Sequence, residues 1–239
     1  GGDRDPRAPD DPDVPHGSHF DRDTAITPVG PGRWTAHAHE AWCIGGTVNG
    51  GCALTPVLRA LGELTPHPDP LSVTTHFLRP VTGGEPLHVE AATVRVGRTT
   101  SVARGTLIQG DRERLTVIAA FGDTTDGDTA DDGAAGTTAR RSLTPEIPIE
   151  IAQLPPPEDC VDRRELTQGV DLPILDRLDV RIHPDHAVAG GAGRAVVAGW
   201  IRLADGADPS VTSLPLFADA FPPSLYSLLG EVGWVPTIE

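Results

Sequence analysis

Within residues 45–63, GGTVNGGCALTPVLRALGE, Leu54, Val57, Leu58 and Leu61 recur at helical spacing and predict a helix with one apolar stripe. Its glycine-rich first turn leaves backbone N–H groups uncovered at the helix start. Four segments of strand character follow, at 71–78, 87–96, 99–109 and 115–121. The turn signals Gly83-Gly84, Gly97-Arg98 and Gly110-Asp111 separate them, which predicts an antiparallel meander wrapped round the helix. Upstream, 20–29 and 34–42 predict two short strands joined at Gly30-Pro31-Gly32. In the second, Thr35, His37 and His39 share a face with Ala41, and Trp34 and Trp42 take the other. The two histidines are either a catalytic cluster or a solvated surface.

Apolar periodicity then stops. From 122 to about 159 the chain is Gly, Asp, Thr, Ala and Pro, ending in Pro155-Pro156-Pro157, and so long an interruption separates two folded units. The resulting division is a polar disordered tail at 1–18, a first unit at 19–122, a linker at 123–172 and a second unit at 173–239. The second unit repeats the first. Leu175-Asp176-Arg177 with Ile182 echoes Phe20-Asp21-Arg22 with Ile26, residues 195–203 resemble the Trp34 strand, and Leu229-Gly230-Glu231 echoes Leu61-Gly62-Glu63. Between these anchors Phe217, Phe221, Leu225 and Leu228 form a second helical stripe, with Thr212 or Ser213 as cap.

Aligning Gly62 with Gly230 sets Asp219 opposite Gly51, so one helix carries a carboxylate where its counterpart carries bare backbone. The arrangement suggests a division of labour; the plainer reading is a surface acid favoured by the helix dipole. Pro56 and Pro222-Pro223 lie inside the two stripes and predict a kink or restart in each helix.

Composition narrows the function. A net charge of −15 disfavours nucleic acid and anionic membranes as partners. No apolar run approaches the roughly 18 residues of a membrane span. The chain has no Lys and no Met, a bias expected of GC-rich coding, and the missing initiator predicts that its natural start has been lost. Cys43, Cys52 and Cys160 are odd in number and lack metal-ligand spacing, which reads as free thiols in a reducing cytoplasm with no metal site.

The motifs GGTVNGG at 45–51, HFLRP at 76–80, GRTTSVAR at 97–104 and FADAFPP at 217–223, in this order, resemble the double hotdog acyl-CoA thioesterases of the type II group. The resemblance runs from about Phe20 to the last residue, outside the linker. It implies an α+β fold in which two antiparallel sheets each wrap a central helix, and hydrolysis of acyl-CoA, in lipid metabolism, without a cofactor. It also implies an acid on the second helix, here Asp219, and a hydroxyl on the strand after it, here Thr237. In the family a glutamine further along completes the set, and this sequence, ending at Glu239, does not reach it; the second half also has fewer strands than the first, so a C-terminally truncated second hotdog is expected. Asn49, Gly50 and Gly51 are the candidates for oxyanion and substrate contacts, although Asn49 would equally serve as a local cap. Arg79, Arg98 and Arg104 are candidates for CoA phosphates or, alternatively, solvated partners of Asp and Glu. Related proteins pair their sheets, which makes a homo-oligomer an expectation. Two rivals remain: a non-catalytic acyl-CoA-binding hotdog, and a hydratase or dehydratase, which needs a His facing an acid.

Overall fold

The computed structural model describes residues 17–124, 154–166, 169–191 and 193–230. Its first half is a six-stranded antiparallel sheet with one long helix across it. The chain opens with α1 (His19–Asp23), which replaces the start of the expected first strand. Ser18 caps it, accepting from the Asp21 N–H and returning its hydroxyl to the Asp21 carboxylate, a local arrangement that favours a helical turn over extension. β1 (Thr27–Gly30) and β2 (Arg33–His37) form a hairpin. The strand expected to reach Trp42 stops at His37 and becomes a 3-10 turn at Glu40–Trp42. This turn brings the Trp42 ring edge-on against Phe20 at 5.4 Å and its indole N–H to Asp23 at 2.9 Å. His39 and Ala41 are therefore off the strand face that carries Thr35 and His37.

A two-residue pair, β3 (Cys43–Ile44) and β4 (Thr47–Val48), delivers the chain into α2 (Gly50–Glu63). Leu54, Val57, Leu58 and Leu61 are all buried, as their spacing predicts. Pro56 does not interrupt the helix. The sheet continues with β5 (Asp69–Phe77), β6 (Pro86–Val96), β7 (Ser101–Gln109) and β8 (Arg112–Gly122). Its order, β1-β2-β6-β7-β8-β5, corrects the expected meander: β6, β7 and β8 follow one another, but β5 pairs with β8. The connection from β5 to β6 crosses the end of the sheet and is pinned there by buried Gln109, which accepts from the Thr82 N–H and donates to its carbonyl. Beneath α2, a Cβ on Gly105 would lie 2.7 Å from Val57 Cγ1, so the absent side chain lets the helix seat on β7.

In the second half β9 (Val161–Asp162), β10 (Leu178–Ile182) and β11 (Gly199–Leu203) form a three-stranded sheet in the order β11-β10-β9. Residues 157–165, within the expected linker, are thus folded onto this half, Asp162 pairing with Arg181. The expected long second helix is two short ones, α3 (Leu214–Asp219) and α4 (Leu225–Leu229), parted at Pro222-Pro223. Because the break rotates the stripe, Leu216, Ala220 and Ser227 are fully buried, while Leu225 and Leu228 are exposed. Neither Thr212 nor Ser213 caps α3; the Ser213 hydroxyl turns back to the Ser210 carbonyl. α3 packs on α2, and one hydrophobic core runs through both halves. Cys43, Cys52 and Cys160 are free and buried. No helix among the described residues is long and apolar enough to cross a membrane.

Candidate active site

Where β4 turns into α2, Asn49 takes the cap position, and its Oδ1 accepts from the Cys52 N–H at 3.0 Å. Its own backbone N–H is held by the Trp42 carbonyl at 3.0 Å. With Oδ1 committed to an N–H donor, the carboxamide has one orientation, and Nδ2 points across to the second half. There it donates to Asp219 twice, to Oδ2 at 2.9 Å and to the main-chain carbonyl at 3.0 Å. The Gly51 N–H donates to the same Oδ2 at 3.2 Å.

Asp219 is the last residue of α3, and the prolines behind it explain why its carbonyl is available. An uninterrupted helix would bond the Asp219 carbonyl to the N–H of residue 223, which is proline and has none. Asn49 supplies the missing donor. The next carbonyl, of Ala220, accepts from the guanidinium of Arg163.

Glycine makes the approach of the two helices feasible. A Cβ on Gly51 would stand 2.1 Å from the Pro215 carbonyl oxygen, inside the backbone of α3. One on Gly50 would stand 2.9 Å from Asp219 Oδ2 and 3.0 Å from the Phe77 ring.

Burial raises the Asp219 pKa above its ordinary value, and the N–H groups of Gly51 and Gly50 oppose that rise. The result is a half-buried carboxylate at the positive end of α2, whose neutral form is favoured by burial.

The structure brings together Asn49, Gly50, Gly51 and Asp219. The amides expected to face an oxyanion hold the acid in this state. Thr237 lies outside the described residues. The three arginines are exposed, and none bonds to Asp219 or Asn49. Arg79 follows Phe77 off the end of β5 and donates to the Glu113 carbonyl at 3.0 Å. Arg104 points away from α2, since its neighbours Ala103 and Gly105 occupy the helix side of β7. Arg98 sits in the β6–β7 turn, where Ser101 pairs with Phe121, the sheet end nearest the α2 C-terminus. His37 and His39 are exposed, their rings 5.6 Å apart, and His39 lies 3.6 Å from Asp23 rather than beside Asp219. Among the described residues no cluster suits a metal ion.

Sequence reasoning missed two neighbours of this site. Phe77 was recoverable from the alternation of β5. Arg163 was not, because an arginine in a polar, proline-rich stretch reads as solvated. It is in fact 2% exposed, and burial pulls its pKa down to about 10.

Residues 38–122 match the family model for the acyl-CoA thioesterase N-terminal domain, and residues 157–239 match that for the acyl-CoA thioesterase C-terminal domain. A candidate thioesterase II from Thermobifida fusca YX is similar at 28% identity over 90% of this chain and 76% of its own, with a TM-score of 0.69. A protein of unknown function with a hot dog fold from Alicyclobacillus acidocaldarius aligns at 23% identity over 89% and 73%, TM-score 0.64. A candidate thioesterase from Novosphingobium aromaticivorans aligns at 21% identity over 87% and 76%, TM-score 0.65. At these lower identities the likeness concerns the fold, and it makes each half a hotdog. No curated protein matches the sequence.

Proposed function

Because the chain belongs to the double hotdog acyl-CoA thioesterase family, we propose that it hydrolyses an acyl-CoA thioester to free acid and CoA, with the Asp219 carboxylate as general base. The observation that carries this reading is the seating of Asp219, a half-buried acid with a raised pKa held by Asn49 and Gly51 at the start of α2.

A thioester already has a good leaving group, so the protein's task is to place a water and meet the charge that develops on the carbonyl oxygen. Asp219 takes a proton from the water as its oxygen bonds to the thioester carbon. The tetrahedral oxyanion then collapses, the C–S bond breaks, and CoA leaves as thiolate to be protonated. With the Gly50 and Gly51 amides given to Asp219, the positive end of α2 is assigned to the oxyanion through its dipole, and Thr237 to holding the water in line. Of the three arginines, Arg79 is the one whose loop joins a strand end at the site, and it is assigned to a CoA phosphate. A reducing cytoplasm and lipid metabolism are the setting this activity implies.

Release of CoA thiol from short, medium and long acyl-CoA tests the reaction class. Asp219→Asn is expected to lower kcat by about 100-fold or more while acyl-CoA still binds. Wild-type turnover in that variant would overturn the base assignment. Retention of acyl-CoA by the unmutated protein with no thiol release would make it a binding protein instead.

A further inference from the structure

Resting on the general-base role of Asp219, we propose that Asn49 is the positioning residue of the reaction: its carboxamide fixes the plane of the carboxylate and reserves Oδ2 for the protein. Oδ1, which accepts neither the Asn49 nor the Gly51 bond, is then the oxygen that meets the water.

Capping α2 does not account for this side chain. Ser, Thr or Asp would cap a helix about as well, and each needs only the acceptor that Asn49 offers through Oδ1. The donor end is surplus to capping, and both its bonds go to Asp219 rather than to water. Asn49 is 2% exposed, clamped at its backbone by Trp42 and at Oδ1 by Cys52, so its Nδ2 has no freedom to follow a moving acid. Substrate contact through the amide, the other sequence expectation, would require breaking those bonds. The Asn49 bond to the Asp219 carbonyl also stops the end of α3 from turning, since rotation there would re-aim the side chain it carries.

Other ionisable groups on the packed elements do not take over this task. The Cys52 thiol on α2 is kept protonated by burial, His76 on β5 and Arg79 after it are exposed, and Arg163 donates to the Ala220 carbonyl. Donation from Asn49 favours the charged form of Asp219, against the burial that disfavours it.

The test compares Asn49→Ser with Asp219→Asn in the whole chain, reading kcat, KM and the pH dependence of kcat/KM for acyl-CoA. Serine keeps the helix cap and deletes the donor. The expected result is kcat lower by about 10- to 100-fold with little change in KM, and an acid limb moved to higher pH. A merely structural Asn49 would change the melting temperature and leave the acid limb where it was; that result, or unchanged kinetics, overturns the proposal. If Asn49→Ser does not fold, Asn49→Asp keeps the cap and sets a second carboxylate beside Asp219, and the acid limb must then move up further still; an unmoved limb overturns the proposal there too. An active Asp219→Asn sinks the general base itself, a failure separable from an inactive Asp219→Asn with a wild-type-like Asn49→Ser.

Discussion

Asp219 sits between opposing influences: burial favours the neutral acid, while the N–H groups of Gly51 and Gly50 favour the carboxylate, and Asn49 donates to the same oxygen as Gly51. Burial wins, so the folded pKa lies above that of the unfolded chain. The sign for stability follows from linkage. A group with a raised folded pKa contributes stability below its unfolded pKa and loses that contribution as pH rises through its folded pKa. Wherever Asp219 is ionised it is therefore a cost to the fold. Asp219→Asn should raise the melting temperature at pH values above the Asp219 titration, and the gain should shrink as pH falls through it, which thermal unfolding at a series of pH values would measure. A variant both more stable and inactive is what strain held for function looks like. At this scale the pairing of Asp219 with Gly51 was legible, because the repeat sets the two opposite each other. The prolines hinted at its free carbonyl. Arg163 was beyond reach, since nothing in a window of polar residues says that a strand pairing across the chain will bury it.

For the elements, the pattern of apolar positions told where α2 and strands β5 to β8 lie, but not which strands are neighbours. Alternation assigns faces, and β5 has the same face whether it lies beside β6 or β8. Its place was decided by the crossover that Gln109 pins through Thr82, a contact between side chain and backbone with no periodicity. The second helix shows the converse. Its break at Pro222-Pro223 was legible from proline chemistry, whereas the rotation that buries Leu216 in place of Leu225 depends on the path taken after the break. What fixes α3 on α2 is backbone proximity at Gly51. Gly51→Ala sets a methyl into the Pro215 carbonyl, and neither backbone can retreat without moving its helix. The expected cost is about 1–3 kcal/mol, with loss of turnover as Asp219 is pushed off Asn49. Urea unfolding and kcat together check it, and wild-type values for both would show that the helices have more slack than this packing allows.

Taken whole, the molecule is held together by surfaces that each half leaves unfinished. α2 is buried on nearly every side from Gly51 to Leu61, because the first sheet covers one side and the second half the other. A helix apolar all round belongs inside a structure, and in this chain the second half completes the inside. The repeat that foretold two related halves could not foretell this sharing, since each copy read by itself asks only for its own sheet. Polar contacts reinforce the junction. Asp23, the last residue of α1, accepts from the Trp42 indole at 2.9 Å and lies 3.8 Å from the Arg177 guanidinium of the second half. The Gly45 N–H donates to the Asp171 carbonyl at 2.7 Å. A chain built this way unfolds as one unit, because neither half keeps its core when the other leaves. Arg177→Met should therefore lower stability by about 1–3 kcal/mol, leaving Asp23 short of one cationic partner, and should move one calorimetric transition down by a few degrees without splitting it. Two transitions, only one of them shifted, would mean that the halves fold independently and that the Asn49 to Asp219 contact is made by docking rather than by the fold itself.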